Sequence, residues 1–407
     1  MEQFRHPQWW QHDPALTRVV RDLVSAELAA ARPGRVLPAL LSWPLNPDLV
    51  ADLGADSLDL MGAATSLADL LGFARTGYQD ALLAQTRLAD WIAAARASLA
   101  ADDSVLTFRT SGSSGAPKRC SHRLDGLWRE VDELTQLVPG RRRIFTAVPA
   151  HHIYGFLLTV LLPQAWGVPL PVIDLRGSSP AALIAQLEPG DLVVAHPDFW
   201  GQVAALAAGF PQDVIGVSSG APCPDATALA LAAGGLRLLQ VYGSSETAGV
   251  GWRDRAGEPD RLLPYWRRGD IERTIERTVD GVVERYPLQD WLDWIDEENF
   301  VPGGRVDQAV QVGGTNVYPA WVAEVLGMHP GVFECVVRPM RLDEGTRLKA
   351  FVVPCKAFAP ETLRTELAAW TAERLGPAER PAAFSFGPAL PRQPNGKPAD
   401  WIIDAWE

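Results

Sequence analysis

From Ser104 onward the chain alternates short β-rich runs with helical stretches, and this alternation restricts the fold more than any other feature. VLTFRTS (105–111), RIFTAVPA (143–150), DLVVAH (191–196), DVIGVSS (213–219) and LRLLQVYG (236–243) supply the runs. Strands separated by helices read as a parallel-sheet α/β domain. Ahead of it, residues 1 to 100 are rich in Ala and Leu. Thr17 to Ala31 and Ala84 to Leu99 place apolar residues at i, i+3 and i+4, which predicts helices, and Pro38, Pro44 and Pro47 hold an irregular loop between them. After a turn at Gly303–Gly304, strands near 310–313 and 348–354 and helices near 319–327 and 360–375 describe a small α+β domain. The 407 residues thus divide into three units, 1–100, 101–306 and 307–407, in line with roughly 100–200 residues per domain.

Charge and cysteine usage exclude several function classes. Lys plus Arg is 37 and Asp plus Glu is 49, so 37 − 49 gives a net charge of −12. That balance argues against nucleic acid or an anionic membrane as partner, since either needs a basic surface. The cysteines (Cys120, Cys223, Cys335 and Cys355) are scattered without a CxxC pair, so neither a zinc site nor a disulfide framework is indicated. The N-terminus lacks the basic-then-apolar pattern of a secretory leader. In the long apolar stretch Ile153 to Ile173, Pro163, Gln164, Gly167, Pro169 and Pro171 favour a buried helix followed by an extended run over a membrane span. A reducing, cytoplasmic setting is expected.

The strongest motif is Thr110-Ser111-Gly112-Ser113-Ser114-Gly115-Ala116-Pro117-Lys118, in a loop after a strand. Glycines admit a phosphate, amides and hydroxyls donate to its oxygens, and the lysine adds charge. The spacing is not GxxxxGK[ST], so this is not a P-loop, and alone it would also suit a linker. Tyr242-Gly243-Ser244-Ser245-Glu246-Thr247 puts an aromatic ring and a carboxylate at the C-terminal end of a parallel strand, where ligands of such sheets gather. The ring can stack a base, and the carboxylate can hold a polyphosphate-bound metal. Lys397, after Asn395-Gly396, sits on a tight turn and can face a carboxylate or phosphate.

TSGSSGAPK, AHHIYG, SSGAP, VYGSSE, an Asp before GR-x-D, VGGTNVYP and PRQPNGK occur in that order between Thr110 and Lys397. Together they resemble the adenylate-forming superfamily of acyl- and aryl-CoA ligases, luciferases and peptide-synthetase adenylation domains. The resemblance implies ATP and Mg²⁺ as cofactors, residues 101–306 as the adenylation core, and 307–407 as a mobile C-terminal domain. Thr110, Ser111, Ser113, Ser114 and Lys118 match the loop that closes over the ATP phosphates. Ser219, Gly220 and Ala221 resemble the segment packing on adenine, with Tyr242 stacked on it. Glu246 matches the magnesium-linked glutamate. Asp290 and Arg305 resemble the ribose-binding pair, although Asp290 follows Leu-Gln instead of the usual Thr-Gly and is assigned by its distance from Arg305. Asp307 falls at the domain hinge, and Lys397 matches the lysine bridging substrate carboxylate and α-phosphate. His152 matches a position beside the acyl pocket, though a helix-capping histidine is the plainer reading. By the family's layout Phe156, Phe199, Ser218, Gly243, Ser244 and Gly249 line that pocket as well.

The chain departs from the family at its start, since only 109 residues precede Thr110. Asp52-Leu53-Gly54-Ala55-Asp56-Ser57-Leu58-Asp59-Leu60 is similar to the phosphopantetheine-attachment segment of acyl carrier proteins, which makes residues 1–100 a carrier-like helical module and Ser57 a candidate attachment site. Equally, Ser57 is a good N-cap, and the module would then serve packing alone. The expected activity is ATP-dependent adenylation of a carboxylic acid, with transfer to coenzyme A, a separate acyl carrier protein or phosphopantetheine on Ser57. Aromatic walls with a histidine suit an aryl acid such as a hydroxybenzoate or cinnamate. The competing readings are a short- or medium-chain acyl-CoA ligase and a catalytically weak carrier or docking protein that binds nucleotide.

Overall fold

The computed structural model describes residues 6–32, 37–110, 118–279, 281–307, 309–313, 315–341, 343–392 and 399–403. They fall into two units, a larger one ending at Gly304 and a smaller one beginning at Arg305.

In the larger unit, VLTFRTS does not join the parallel sheet. β1 (Val105–Thr110) pairs antiparallel with β2 (Lys118–Arg123) as a separate hairpin. The signal lies in β2, whose Cys120 and His122 are buried while Arg119, Ser121 and Arg123 are exposed. That period of two marks a strand with one wet face, as in antiparallel pairs. The parallel strands are β3 (Arg143–Thr146), β4 (Val172–Asp174), β5 (Asp191–Ala195), β6 (Ile215–Ser218) and β7 (Arg237–Ser244), in the order β4-β3-β5-β6-β7. Beyond β7 the sheet continues through β8 (Ala248–Arg253), β9 (Asp260–Leu262), β14 (Asn299–Arg305) and β13 (Asp290–Trp294). A second sheet of β10 (Arg267–Arg268), β11 (Thr274–Val279) and β12 (Val282–Pro287) stands apart.

Both faces of the parallel strands are buried. One presents Phe145, Val193, Ala195 and Leu238 to Trp200 and Leu231 of the helices Pro197–Ala205 and Asp225–Ala233. The other presents Ile144, Leu192, Val194, Val217 and Leu239 to a core that includes Trp9, Val20, Leu67 and Trp91. Those last residues belong to the first hundred, folded as α1 (Asp13–Ala31), α2 (Ser57–Leu71), α3 (Leu88–Ala101) and shorter turns. α4 (Leu124–Leu137) adds Leu127, Val131 and Leu134 to the same core. The helices of residues 6–101 therefore share the sheet's core.

At the start of α2 the cap is Asp56, where Ser57 was a candidate. The Asp56 carboxylate accepts from the amides of Leu58 and Asp59 (2.9 Å each), and Asp59 accepts from the Asp56 amide at 3.0 Å. Three amide donors are satisfied, those of Asp56 and Asp59 reciprocally, and Ser57 becomes the first helical residue, exposed.

The smaller unit has β18 (Leu348–Pro354) between antiparallel β17 (Val332–Pro339) and parallel β19 (Ala383–Phe386). The helices Pro319–Gly327 and Pro360–Arg374 cover one face over Leu348, Ala350 and Val352, and Trp401 packs on the other against Phe351 and Val353. A hairpin of β15 (Val310–Val312) and β16 (Thr315–Val317) precedes them. Among the described residues no helix is long and apolar enough to cross a membrane.

If Asp56 holds the cap, Asp56→Ala should cost roughly 1 kcal/mol and Ser57→Ala almost nothing. Urea midpoints of the two variants check this, and a larger loss for Ser57→Ala would return the cap to Ser57.

Candidate active site

The candidate residues of the larger unit gather where the parallel strands end. β6 runs into Ser218, Ser219, Gly220 and Ala221, β7 into Tyr242 to Glu246, and β3 into the segment that carries His151 and His152. Ligands of open parallel sheets bind at these strand ends. Ser218 is buried, whereas Ser219, Gly220 and Ala221 turn outward, with Gly220 at φ +87°.

Two polar contacts join the candidate residues at the ends of β2 and β7. Lys118, the first residue of β2, places Nζ 2.6 Å from Oε1 of Glu246, which lies in the turn between β7 and β8. Half of the Lys118 side chain is exposed, so the pair adds little stability and stays open to a ligand. The Glu246 turn is braced from below: His122, buried, bonds the Ser245 carbonyl through Nε2 at 2.6 Å, and Ser244 Oγ lies 3.0 Å from Thr247 Oγ1. Desolvation keeps His122 below the ordinary imidazole range, so its ring stays neutral near pH 7. The second contact is between Tyr242 and Asp290. The tyrosine hydroxyl donates to Asp290 Oδ2 at 2.8 Å, while its ring meets Phe300 edge-on at 5.4 Å.

Gly243 and Gly249 serve the backbone. A Cβ on Gly243 would lie 2.2 Å from the Ala248 carbonyl, and one on Gly249 would lie 2.4 Å from Glu130 Oε1. Glu130 is the residue that sequence reasoning missed. It is 3% exposed, and both carboxylate oxygens lie 3.0 Å from the Gly249 amide. Burial pushes its carboxyl up to about 7, against the hydrogen bonds from Gly249 and Tyr265 and the charge of Arg277. The signal was present, since Glu130 interrupts the apolar stripe Leu127, Val131 and Leu134 of α4. A carboxylate on such a stripe must meet a donor in the core.

The acyl side departs further from expectation. Phe156 has no exposed surface and packs edge-on against Trp9 (5.0 Å) and Phe108 (5.4 Å), so it is a core residue with no face left for a ligand. Phe199 is buried beside Trp200. His152 occupies the N-cap position of the helix Ile153–Phe156, yet its side chain makes no capping bond and is exposed. Capping therefore does not explain it. Desolvation, then the neighbouring His152 and the charge of Arg176, lowers His151. The segment bearing these histidines is tied to α1: Asp22, buried, accepts from the Ala150 amide and from Arg176 Nη2 at 2.6 Å each. Tyr154, also unforeseen, points its hydroxyl at the Ala195 and Val217 carbonyls, 3.0 Å from each, at the ends of β5 and β6.

In the smaller unit, Arg305 holds Asp307 through two bonds of 2.7 Å, and the Tyr318 hydroxyl donates to Asp307 at 3.2 Å. Hydrogen bonding by Arg305 brings the Asp307 carboxyl down to about 2. β1 ends at Thr110. Ser111, Ser113, Ser114 and Lys397 lie outside the described residues.

Residues 55–266 match the AMP-binding enzyme family, and residues 322–397 match the AMP-binding enzyme C-terminal domain. A protein of Rhodobacter capsulatus named 4-coumarate–CoA ligase is 40% identical over 403 residues, covering 94% of this chain and 100% of its own length. A protein of Halorhodospira halophila with the same name is 37% identical over 389 residues, covering 93% of this chain and 97% of its own. Among solved structures, an amide bond synthetase from Marinactinospora thermotolerans shares the fold, with a TM-score of 0.60 at 18% identity over 94% of this chain and 92% of its own.

The raised carboxyl of Glu130 sets a pH dependence. Between its ordinary 4.5 and about 7 the folded state keeps a proton that the unfolded chain releases. Its contribution to stability therefore falls as pH rises through that window and is level above it. Glu130→Gln should remove this slope, a difference on the order of 2–3 kcal/mol across the window. Urea midpoints of both proteins from pH 4.5 to 8 test it, and parallel profiles would mean that Glu130 titrates normally.

Proposed function

The chain belongs to the AMP-binding enzyme family and is an AMP-forming acid–thiol ligase; from that premise we propose that its acid is a hydroxycinnamate, 4-coumarate first, and its thiol that of coenzyme A. The names carried by relatives at 37% and 40% identity support this choice of acid and acceptor. The observation that carries the nucleotide half is the meeting of Lys118 with Glu246 across 128 residues of sequence, at the end of the sheet where Tyr242 and Asp290 also meet.

A carboxylate attacking the α-phosphorus of ATP approaches another anion, so the residues at hand must offset charge and hold geometry. In this reading Lys118 faces the outer phosphates together with Thr110, Ser111, Ser113 and Ser114. Tyr242, steadied by Asp290, stacks on adenine beside Ser219, Gly220 and Ala221, and Asp290 and Arg305 take the ribose hydroxyls. Lys397 bridges the acid and the α-phosphate, which lets the acid's oxygen displace pyrophosphate. Glu246 is suited to Mg²⁺, for it is a partly exposed carboxylate already facing a cation, and this metal commonly takes one or two carboxylates plus phosphate oxygens. When bound, the ion supplies charge to the triphosphate. In the second step the thiol attacks the acyl carbon and AMP leaves. We assign to Asp307 the pivot that withdraws Lys397 for that step, so its bonds to Arg305 and Tyr318 would have to rearrange. His152, exposed and without a capping bond, is assigned to the acyl side.

Residues 6–101 are read as cover for the sheet. Ala63, Leu67, Leu70 and Leu71 of α2 lie in the common core, which leaves the helix after Ser57 little freedom to act as a separate carrier. A broad-specificity phosphopantetheinyl transferase should leave the mass of the protein unchanged. A mass gain that disappears in Ser57→Ala would restore the carrier reading.

With ATP, magnesium and coenzyme A, 4-coumarate should release pyrophosphate and AMP and form its CoA thioester faster than benzoate or octanoate. Lys397→Ala should slow adenylate formation by ~10²–10³, the usual cost of one donor aimed at transition-state charge. A preference for octanoate would sink the substrate assignment, and wild-type rates in Lys397→Ala would remove that lysine from the chemistry.

A further inference from the structure

Lys349 is a lysine with no exposed surface, at the middle of the smaller unit's sheet. Its strand is buried from Leu348 to Val353, with Leu348, Ala350 and Val352 on one face and Phe351 and Val353 on the other. Lys349 shares the second face, where an apolar residue would ordinarily stand. An ammonium has three donors, and here three oxygens surround it: Glu344 Oε2 at 2.7 Å, the Trp401 carbonyl at 2.6 Å and Asp400 Oδ1 at 3.1 Å. Two of the three belong to residues 400–401. Trp401 is held again by its ring, which meets Phe351 at 5.6 Å and lies 4.9 Å from Lys349 Nζ. Glu344 extends the clamp by accepting from the Ile403 amide at 3.2 Å. On the near side, the Ala399 amide donates to the Pro391 carbonyl at 2.9 Å.

We propose that Lys349 is a positioning residue for Lys397, mooring the chain that follows it to the centre of the sheet. The inference rests on the role assigned to Lys397 above. Asp400 is three residues beyond Lys397, a stretch that reaches at most roughly 11 Å. An anchored Asp400 and Trp401 thus fix one end of that tether, and misplacement of a reacting group by about 1 Å can cost ~10² in rate. The charge matters because a buried ammonium holds its oxygen partners as a neutral side chain of the same length would not.

The test is Lys349→Met in the full-length protein, with the two half-reactions followed separately. Adenylate formation should fall at least ~10-fold with the KM for ATP within about twofold. Thioester formation from synthetic coumaroyl-adenylate should stay within about twofold. Lys349→Met combined with Lys397→Ala should be no slower than Lys397→Ala alone, as expected of two residues acting through one route. Leu363→Ala, a cavity in the same unit's core away from the clamp, controls for stability and should leave adenylation near wild type. Wild-type adenylation in Lys349→Met would overturn the proposal, as would parallel loss of both half-reactions. Failure of the wild-type protein to form any adenylate would instead sink the ligase reading, and this inference with it.

Discussion

A parallel sheet has no wet face, and most of the larger unit follows from that constraint. Strands joined through crossover helices are covered on both sides, so each of β3, β5, β6 and β7 must find apolar partners in two directions. Phe145, Val193 and Leu238 meet theirs in the helices that connect the strands. Ile144, Leu192, Val194, Val217 and Leu239 share a core with the apolar run Ile153, Phe156 to Leu158 and Val160 to Leu162, with α4, and with α1, α2 and α3. Leaving that face wet would expose several large aliphatic side chains, each worth about 1.5–3 kcal/mol when buried. The N-terminal helices thus complete a core that the chain from 124 to 162 begins.

That arrangement brings polar groups into the core, and they appear where they brace the strand-end segments. Asp22 on α1 reaches the Ala150 amide and Arg176, fixing the stretch that leads to His152. Glu130 on α4 caps the Gly249 amide behind the Glu246 turn, and His122 on β2 holds the Ser245 carbonyl of that turn. Buried carboxylates and imidazoles are costly unless paired, so each amounts to a strong demand for one backbone geometry. Lys349 repeats the device in the smaller unit, beside the C-terminal segment. In each case a loop end is fixed by a buried polar side chain on a neighbouring regular element.

Sequence reading was strongest where periodicity or motif order carried the signal. The helices Pro319–Gly327 and Asp13–Ala31 and the strands of the parallel sheet stand within a few residues of expectation. It failed where the decision belonged to a partner distant in sequence. VLTFRTS has the composition of a buried strand, and only its pairing with KRCSHR makes it a hairpin. Ser57 and Asp56 are both good caps by type, and backbone geometry gave the position to Asp56. Phe156 fits an aromatic pocket wall by type, but Trp9, 147 residues earlier, took its surface.

What the sequence determined by itself is therefore chemistry and order. Hydroxyls, glycines, Lys118, Glu246 and Lys397 follow one another in a fixed succession, and that order carries the resemblance to the adenylate-forming superfamily. Tertiary structure alone decided which groups meet at the strand ends and which are consumed by the core. Lys118 meets Glu246, Tyr242 meets Asp290, and Glu130 meets Gly249 through packing that joins segments 48 to 128 residues apart. Side-chain type sets what a group can do, whereas burial and the nearest opposite charge, both products of the whole fold, set whether it is free to do it.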